Sequence, residues 1–410
     1  MKSVIRLLGI RVMVLVVGWL AGTVFSAQLT VASNADSGPG SLRQAIADAQ
    51  PGDTIVFDSS LNDSVITLTS GQLDLDKPLT ILGPGPDQLA IDGNASSRVF
   101  NIEKDFYPST GTYHYWISGL TITNGLASSD RGGGIRSLSG NYQWIFKLTI
   151  SNCVIRANST TASGGHGGGV YSGRFTLLSL IDSDVSGNQA AGDGGGLWTG
   201  DTALIERSLF SGNTTATSGG GVFVNEHGTT VVRNCTVSGN TSTYTDWNTD
   251  YNGGGGFYCK MPALDIVNTT ISGNYAKRGG GVRVHDSRSI VSLQSTLISG
   301  NSDDLDFPDV LGTFVAVTNC LVSVTNGVVL PGANNIFDLP APLEPLADNG
   351  GPTRTHALPR KSPAIDKGSN PLALATDQRG DGFPRMLGAA VDIGAYEFMP
   401  PPAATLISIQ

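Results

Sequence analysis

"SGNTTATSGGGVFV", residues 211–224, is the stretch on which the fold turns. Alone it looks like a loop: small polar residues, three glycines, then an abrupt apolar run. It has relatives in "SGNQAAGDGGGLWT" (186–199), "SGNTSTYTDWNTDYNGGGGFYC" (238–259) and "SGNYAKRGGGVRV" (272–284). Aligned on the asparagine, the repeat falls at Asn158, Asn188, Asn213, Asn240, Asn274 and Asn301, at intervals of 30, 25, 27, 34 and 27 residues. Such a period marks a solenoid. The variation sits between the asparagine and the glycines, where a loop tolerates a change of length.

The columns around each asparagine are regular. Eight residues before it stand Ile150, Leu180, Ile205, Val232, Ile266 and Leu293; three before it stand Ile155, Val185, Phe210, Val237, Ile271 and Ile298. Between them, five before the asparagine, comes a small residue: Cys153, Ser183, Ser208, Cys235, Thr269 or Thr296. Pairs two apart suit the inward positions of a strand, and the odd step between them predicts a bend. After the glycines, Val170, Leu197, Val222, Phe257 and Val282 open another short strand. Equivalent strands one full coil apart pair in parallel, and no helical period competes. The expected fold is therefore all-β, a single-stranded right-handed parallel β-helix. Handedness follows the rule for parallel crossovers. Asparagine tolerates the left-handed backbone and can bond to turn amides or to the next coil, while glycine permits tight turns. Both columns read as structural, because they recur in every coil.

The remaining chain divides around these coils. Residues 1–26 read as a signal peptide, with Lys2, Arg6 and Arg11 ahead of the apolar stretch Val12 to Phe25. Residues 27–115 form an N-terminal cap and first coils, 116–330 the repeats, 331–398 an irregular C-terminal capping region, and 399–410 a tail. Within "SNADSGPGSLRQAIADAQPGDTIVF" (33–57), Ser41 is a helix N-cap, and Leu42, Ala45, Ile46 and Ala49 share one face. A helix there would cover the open end of the first coil. Loss of the three signal-peptide cations takes the formal charge from −9 to −12. So acidic a surface argues against nucleic acid, whose phosphates need clustered Lys and Arg. No further segment spans a membrane once the signal is removed. Cys153, Cys235 and Cys320 occupy one inward column. The first two stand three coil steps apart, roughly 14 Å at the strand spacing, too far for a disulfide; Cys235 with Cys259 stays open.

"DSGPGSLRQAIADAQPGDTIVF" near the start, the "SGN…GGG" coils, and "SPAID…DQRG…DIGAYEF" near the end together resemble exported bacterial β-helix proteins of the choice-of-anchor Q type. The coils also resemble polymorphic outer-membrane protein repeats, through Phe210-Ser-Gly-Asn213 and Gly220-Gly221-Val222. The resemblance implies a right-handed β-helix that is secreted, periplasmic or at the cell surface. It implies no catalytic residue.

Chemistry has to come from outward positions. Between the inward columns of the post-glycine strand lie Arg136, Tyr171, Trp198, Phe223, Tyr258 and Arg283. In register, the four aromatics make a ladder ended by arginines, suited to stacking on sugar rings or on one another. Beyond it lie Asp201, Glu226, Lys260, His285 and Asp286. They are candidates for acid/base catalysis, with calcium as an optional partner of the carboxylates; otherwise they are a solvated turn. "GHG" (165–167), "NTD" (248–250) and "DD" (303–304) are set aside as polygalacturonase motifs, because their order along the chain is wrong. The expected function is an exported scaffold that binds a polysaccharide or cell-surface partner rather than an enzyme. The alternative is a polysaccharide lyase or glycoside hydrolase of the pectate-lyase-like β-helix type.

Overall fold

The aligned columns meet as parallel strands, each coil stacked on the one before. The computed structural model describes residues 26–104, 110–225, 227–244, 252–261, 263–285 and 287–400. In it Val170–Ser172 pairs in register with Leu197–Thr199, then Val222–Val224, Phe257–Cys259 and Val282–Val284. Among the described residues, parallel sheets of eleven, eleven and nine strands run the length of the solenoid, with a short five-stranded sheet at one corner. Sheet A opens each coil, as in Thr176–Ile181 and Ala203–Glu206; sheet B follows with Asp184–Ser186 and Leu209–Ser211. Sheet D holds two-residue strands such as Thr214–Thr215, and sheet C is the strand after the glycines. This is a right-handed parallel β-helix. Leu180, Ile205, Val232, Val185, Phe210, Val237, Val222 and Phe257 are all fully buried, so the apolar columns form the core. Their removal from water is the main drive for stacking.

The bend predicted between sheets A and B lies at Asn152, Asp182, Arg207, Asn234 and Asn268, each with φ between 46° and 51°. The repeat asparagines themselves do not take that conformation. It falls to the residue before them, for instance Gly187, Gly212 and Gly239 with φ of 61°, 62° and 65°. The asparagine side chains turn inward and form a continuous amide ladder. Asn188 Nδ2 donates to Asn213 Oδ1, Asn213 Nδ2 to Asn240 Oδ1, and Asn240 Nδ2 to Asn274 Oδ1, each at 2.9 Å. Asn301 ends the ladder on Asp309 Oδ1 at 2.9 Å. Asp rather than Asn suits that end, since the other carboxylate oxygen must accept the Val324 N–H.

At the N-terminus the helix Leu42–Asp48 forms as expected, with Ser41 accepting the Gln44 N–H at 3.2 Å and Leu42, Ala45 and Ile46 buried. All four cysteines are free and buried, so Cys235 and Cys259 form no bridge. Burial pushes each of the four thiols up to about 12. The C-terminal region does more than close the last coil. It runs back along the A–B corner and the outside of sheet B: Asn268 Nδ2 donates to Ser369 O, Asn234 Nδ2 to Thr376 O, and Thr236 Oγ1 to Gln378 Oε1. Outward Leu297 and Leu321 of sheet B pack with Leu358, Ala364 and Ile393 of this strap. Arg379, paired with Asp377 at 2.6 Å, lies between the rings of Phe383 and Tyr396, which joins the "DQRG" and "DIGAYEF" stretches.

Inside this knot, burial pushes the Glu397 carboxyl up to about 7 from 4.5. A carboxyl whose folded value is raised binds its proton more tightly in the native state, so its contribution to stability falls as pH rises through that window. The parent should therefore gain stability over Glu397→Gln between pH 8 and pH 5 in denaturant titrations. A difference independent of pH would remove Glu397 as the cause.

Candidate functional site

The outward column of sheet C forms the expected ladder. Tyr171 and Trp198 stack at 4.5 Å, Trp198 and Phe223 at 6.3 Å, and Phe223 and Tyr258 at 5.1 Å, with interplanar angles of 15° or less. The structure also covers it, which corrects the reading of these residues as a sugar-facing surface. Tyr171, Trp198, Phe223, Tyr258, Arg136 and Arg283 are between 1% and 8% exposed. The rings fold over their own strands, into space left by glycines: a Cβ on Gly200 would come within 2.6 Å of the Trp198 ring. Non-repeating loop residues close the edges. Arg131 lies over Tyr171 and donates from Nη1 to its hydroxyl at 2.8 Å, and His166 stacks on Trp198 at 5.8 Å. His166 Nδ1 accepts the Asp193 N–H at 2.9 Å, and burial pulls its imidazole below the ordinary value. Arg136 is held by Glu103, by Asp130 at 3.1 Å and by Asn101 at 3.0 Å. A ring without an open face cannot stack on a sugar, so the ladder acts as a second core. Trp198→Ala should cost about 3 kcal/mol of stability, measured by chemical denaturation, because it empties a filled stack.

The described members of the second group follow the ends of the sheet C strands. Asp201 caps a turn, accepting the Phe175 N–H at 3.0 Å and the Thr202 N–H at 2.8 Å. Lys260 and His285 stand on neighbouring coils in one outward column of sheet C, and the His285 ring stacks on Tyr258 at 5.9 Å. Glu226 and Asp286 lie outside the described residues. Among the described residues, no three His, Cys, Asp or Glu side chains converge as a metal site would require.

An open site lies instead on sheet A. A hollow of about 570 Å³ runs over its outer face from His114 to Arg233, walled by Leu177, Leu204 and Val231, with Leu372 of the C-terminal strap at its side. His114 and Lys147 are register partners on adjacent coils, and both are exposed. Thr149 and Ser179, likewise paired, carry hydroxyls along the floor. Arg233 enters from the far end, with Nη2 on Glu206 Oε2 at 2.7 Å; Glu206 also binds Arg207 at 2.7 Å, so one carboxylate is shared by two guanidiniums. The described lining contains three basic side chains and no carboxylate. On a chain this acidic, a described lining without carboxylates stands apart.

No family profile matches the chain, and no curated protein matches it. Among solved structures it is similar to pectate lyase Pel9A, at 15% identity and a TM-score of 0.52, covering 92% of this chain and 97% of that one. A PL6 family alginate lyase, AlyGC, is more distant, at 12% identity and a TM-score of 0.31, covering 91% of this chain and 60% of the other. At 15% identity the likeness to Pel9A shows the parallel β-helix fold.

Sequence reasoning missed the sheet A hollow because none of its basic residues recurs. A signal was present in "YHYWIS" (113–118) and "FKLTIS" (146–151), where His114, Trp116, Lys147 and Thr149 alternate with buried Tyr115, Ile117, Leu148 and Ile150. In a strand that alternation separates the wet face from the core.

Proposed function

We propose that the protein is exported and acts on an acidic polysaccharide as a lyase, holding the polymer in the sheet A hollow. The basic lining carries this reading. Lys147 and Arg233 offer charge to uronate carboxylates. Hydrolysis by the usual route needs two carboxyl groups flanking the bond, which the described lining lacks. β-Elimination needs a base for the proton beside the uronate carboxylate and a donor for the departing oxygen. His114 as the base and Lys147 as the donor, register partners across one coil step, suit those two roles. The C5–H bond and the C4–O bond break, a C4–C5 double bond forms, and the proton passes to the leaving sugar oxygen. The neighbour of the same fold named as a pectate lyase fits this class of substrate.

The test is to incubate the protein with polygalacturonate and alginate, with and without calcium, and follow the absorbance of unsaturated uronate ends. Turnover lost in Lys147→Ala supports the lyase. Binding without turnover would instead make the hollow the surface of a non-catalytic binding protein. Equal activity in parent and Lys147→Ala would exclude Lys147 as the proton donor.

A further inference from the structure

Trp116 lies on the outer face of sheet A, just beyond the hollow. It follows His114 by two residues on the same strand face, and its register partner is Thr149 on the hollow's floor. The residue is 47% exposed. The corresponding position on the next coils is filled by Thr149 and Ser179, so the fold does not require an aromatic side chain in this column. The ring is also held in place: Nε1 donates to Ser151 Oγ at 3.0 Å, and Ser151 Oγ donates to Ser118 Oγ at 3.1 Å. The polar edge is thus fixed to the sheet while much of the indole surface stays open. Trp144 and Trp198, by contrast, are 6% and 8% exposed.

We infer that Trp116 is a stacking platform for a sugar ring, extending the sheet A hollow by one subsite along the His114 strand. This deepens the proposed function and rests on it. A pyranose has an apolar face of C–H groups and an equatorial rim of hydroxyls, and an indole offers a matching flat surface. A pinned ring also gives up little freedom on binding, which favours a platform over a mobile side chain. Strand spacing of about 4.8 Å places the platform one coil from Lys147 and about four coils from Arg233. The ligand is therefore an extended oligouronate: carboxylates meet Lys147 and Arg233 within the hollow, and one further ring lies on Trp116. The platform adds length selectivity, since a trimer seated between Lys147 and Arg233, three coil steps apart, would not reach it.

The experiment is calorimetric titration of the parent, Trp116→Ala and Trp116→Tyr with a trimer and a hexamer of galacturonate and of alginate. The expected result is a loss of about tenfold in hexamer affinity for Trp116→Ala, an unchanged trimer affinity, and recovery of most of the loss in Trp116→Tyr. Hexamer affinity unchanged in Trp116→Ala overturns the platform and leaves the proposed function standing. An equal loss for trimer and hexamer overturns it too, by making Trp116 a structural residue of the strand. A parent that binds none of the four probes overturns both.

Discussion

Asn213→Ala should destabilise the protein by about 4 kcal/mol, the cost of unmet hydrogen bonds inside the coils. The side chain is fully buried and joins three coils. Its Oδ1 accepts the Asn188 backbone N–H at 3.0 Å and Asn188 Nδ2 at 2.9 Å. Its Nδ2 donates to Val185 O at 2.8 Å and to Asn240 Oδ1 at 2.9 Å. Truncation takes a partner from two donors and two acceptors in the buried interior, though Asn240 Oδ1 keeps the residue 213 N–H, and each unmet group costs roughly 1–3 kcal/mol, partly recovered by relaxation. Asn213→Asp separates this cause from simple loss of volume. It keeps the acceptor but removes the donor and buries a charge, so it should be no better than alanine at neutral pH. Denaturant titration of both variants measures the effect. A cost below about 1 kcal/mol for alanine would mean that the ladder contributes nothing beyond its backbone bonds.

The parts of the structure legible in the sequence are those that every coil must repeat. Asn213 and Gly219 to Gly221 recur because each coil turns the same corners, and Val222 recurs because each strand faces the same core. The aromatic ladder was legible as a column for the same reason. Its burial was not, because Arg131 and His166, which cover it, come from loops of unequal length and sequence. The C-terminal strap was hidden by range: Thr376 and Gln378 meet Asn234 and Thr236 across 142 residues, a separation that no local pattern encodes. The sheet A hollow depends on residues that occur once. Lys147, His114 and Trp116 sit at unremarkable outward positions, and only the register of adjacent coils brings them side by side. A solenoid thus reveals its frame by repetition, and the same repetition hides whatever chemistry is carried on one or two coils.

Gly220→Ala should prevent stable folding or cost more than about 4 kcal/mol, while Gly212→Ala, eight residues earlier, should cost only about 1–2 kcal/mol. Both glycines belong to the repeat, but they are there for different reasons. At Gly212 the backbone has φ of 62°, and an added Cβ would meet nothing within 4 Å. The cost there is the left-handed conformation alone. At Gly220 an added Cβ would fall 2.5 Å from Gly255 O and 2.7 Å from the backbone N and C of Thr241. Those atoms belong to the next coil and cannot rotate away as a side chain could. The Gly220 N–H also bonds to Gly254 O at 3.0 Å and the Gly221 N–H to Gly255 O at 2.9 Å, so relief would require separating two stacked coils and losing their ladder. Neighbouring triplets repeat the crowding: at Gly195 a Cβ would lie 2.4 Å from Gly220 O, and at Gly168 it would lie 2.5 Å from Gly195 O. The middle glycine is therefore needed for the rise of one coil to the next, whereas the glycine before each asparagine is needed only to turn. Comparable costs for the two substitutions would break that distinction, and with it the reason the triplet outlasts every change in loop length along the chain.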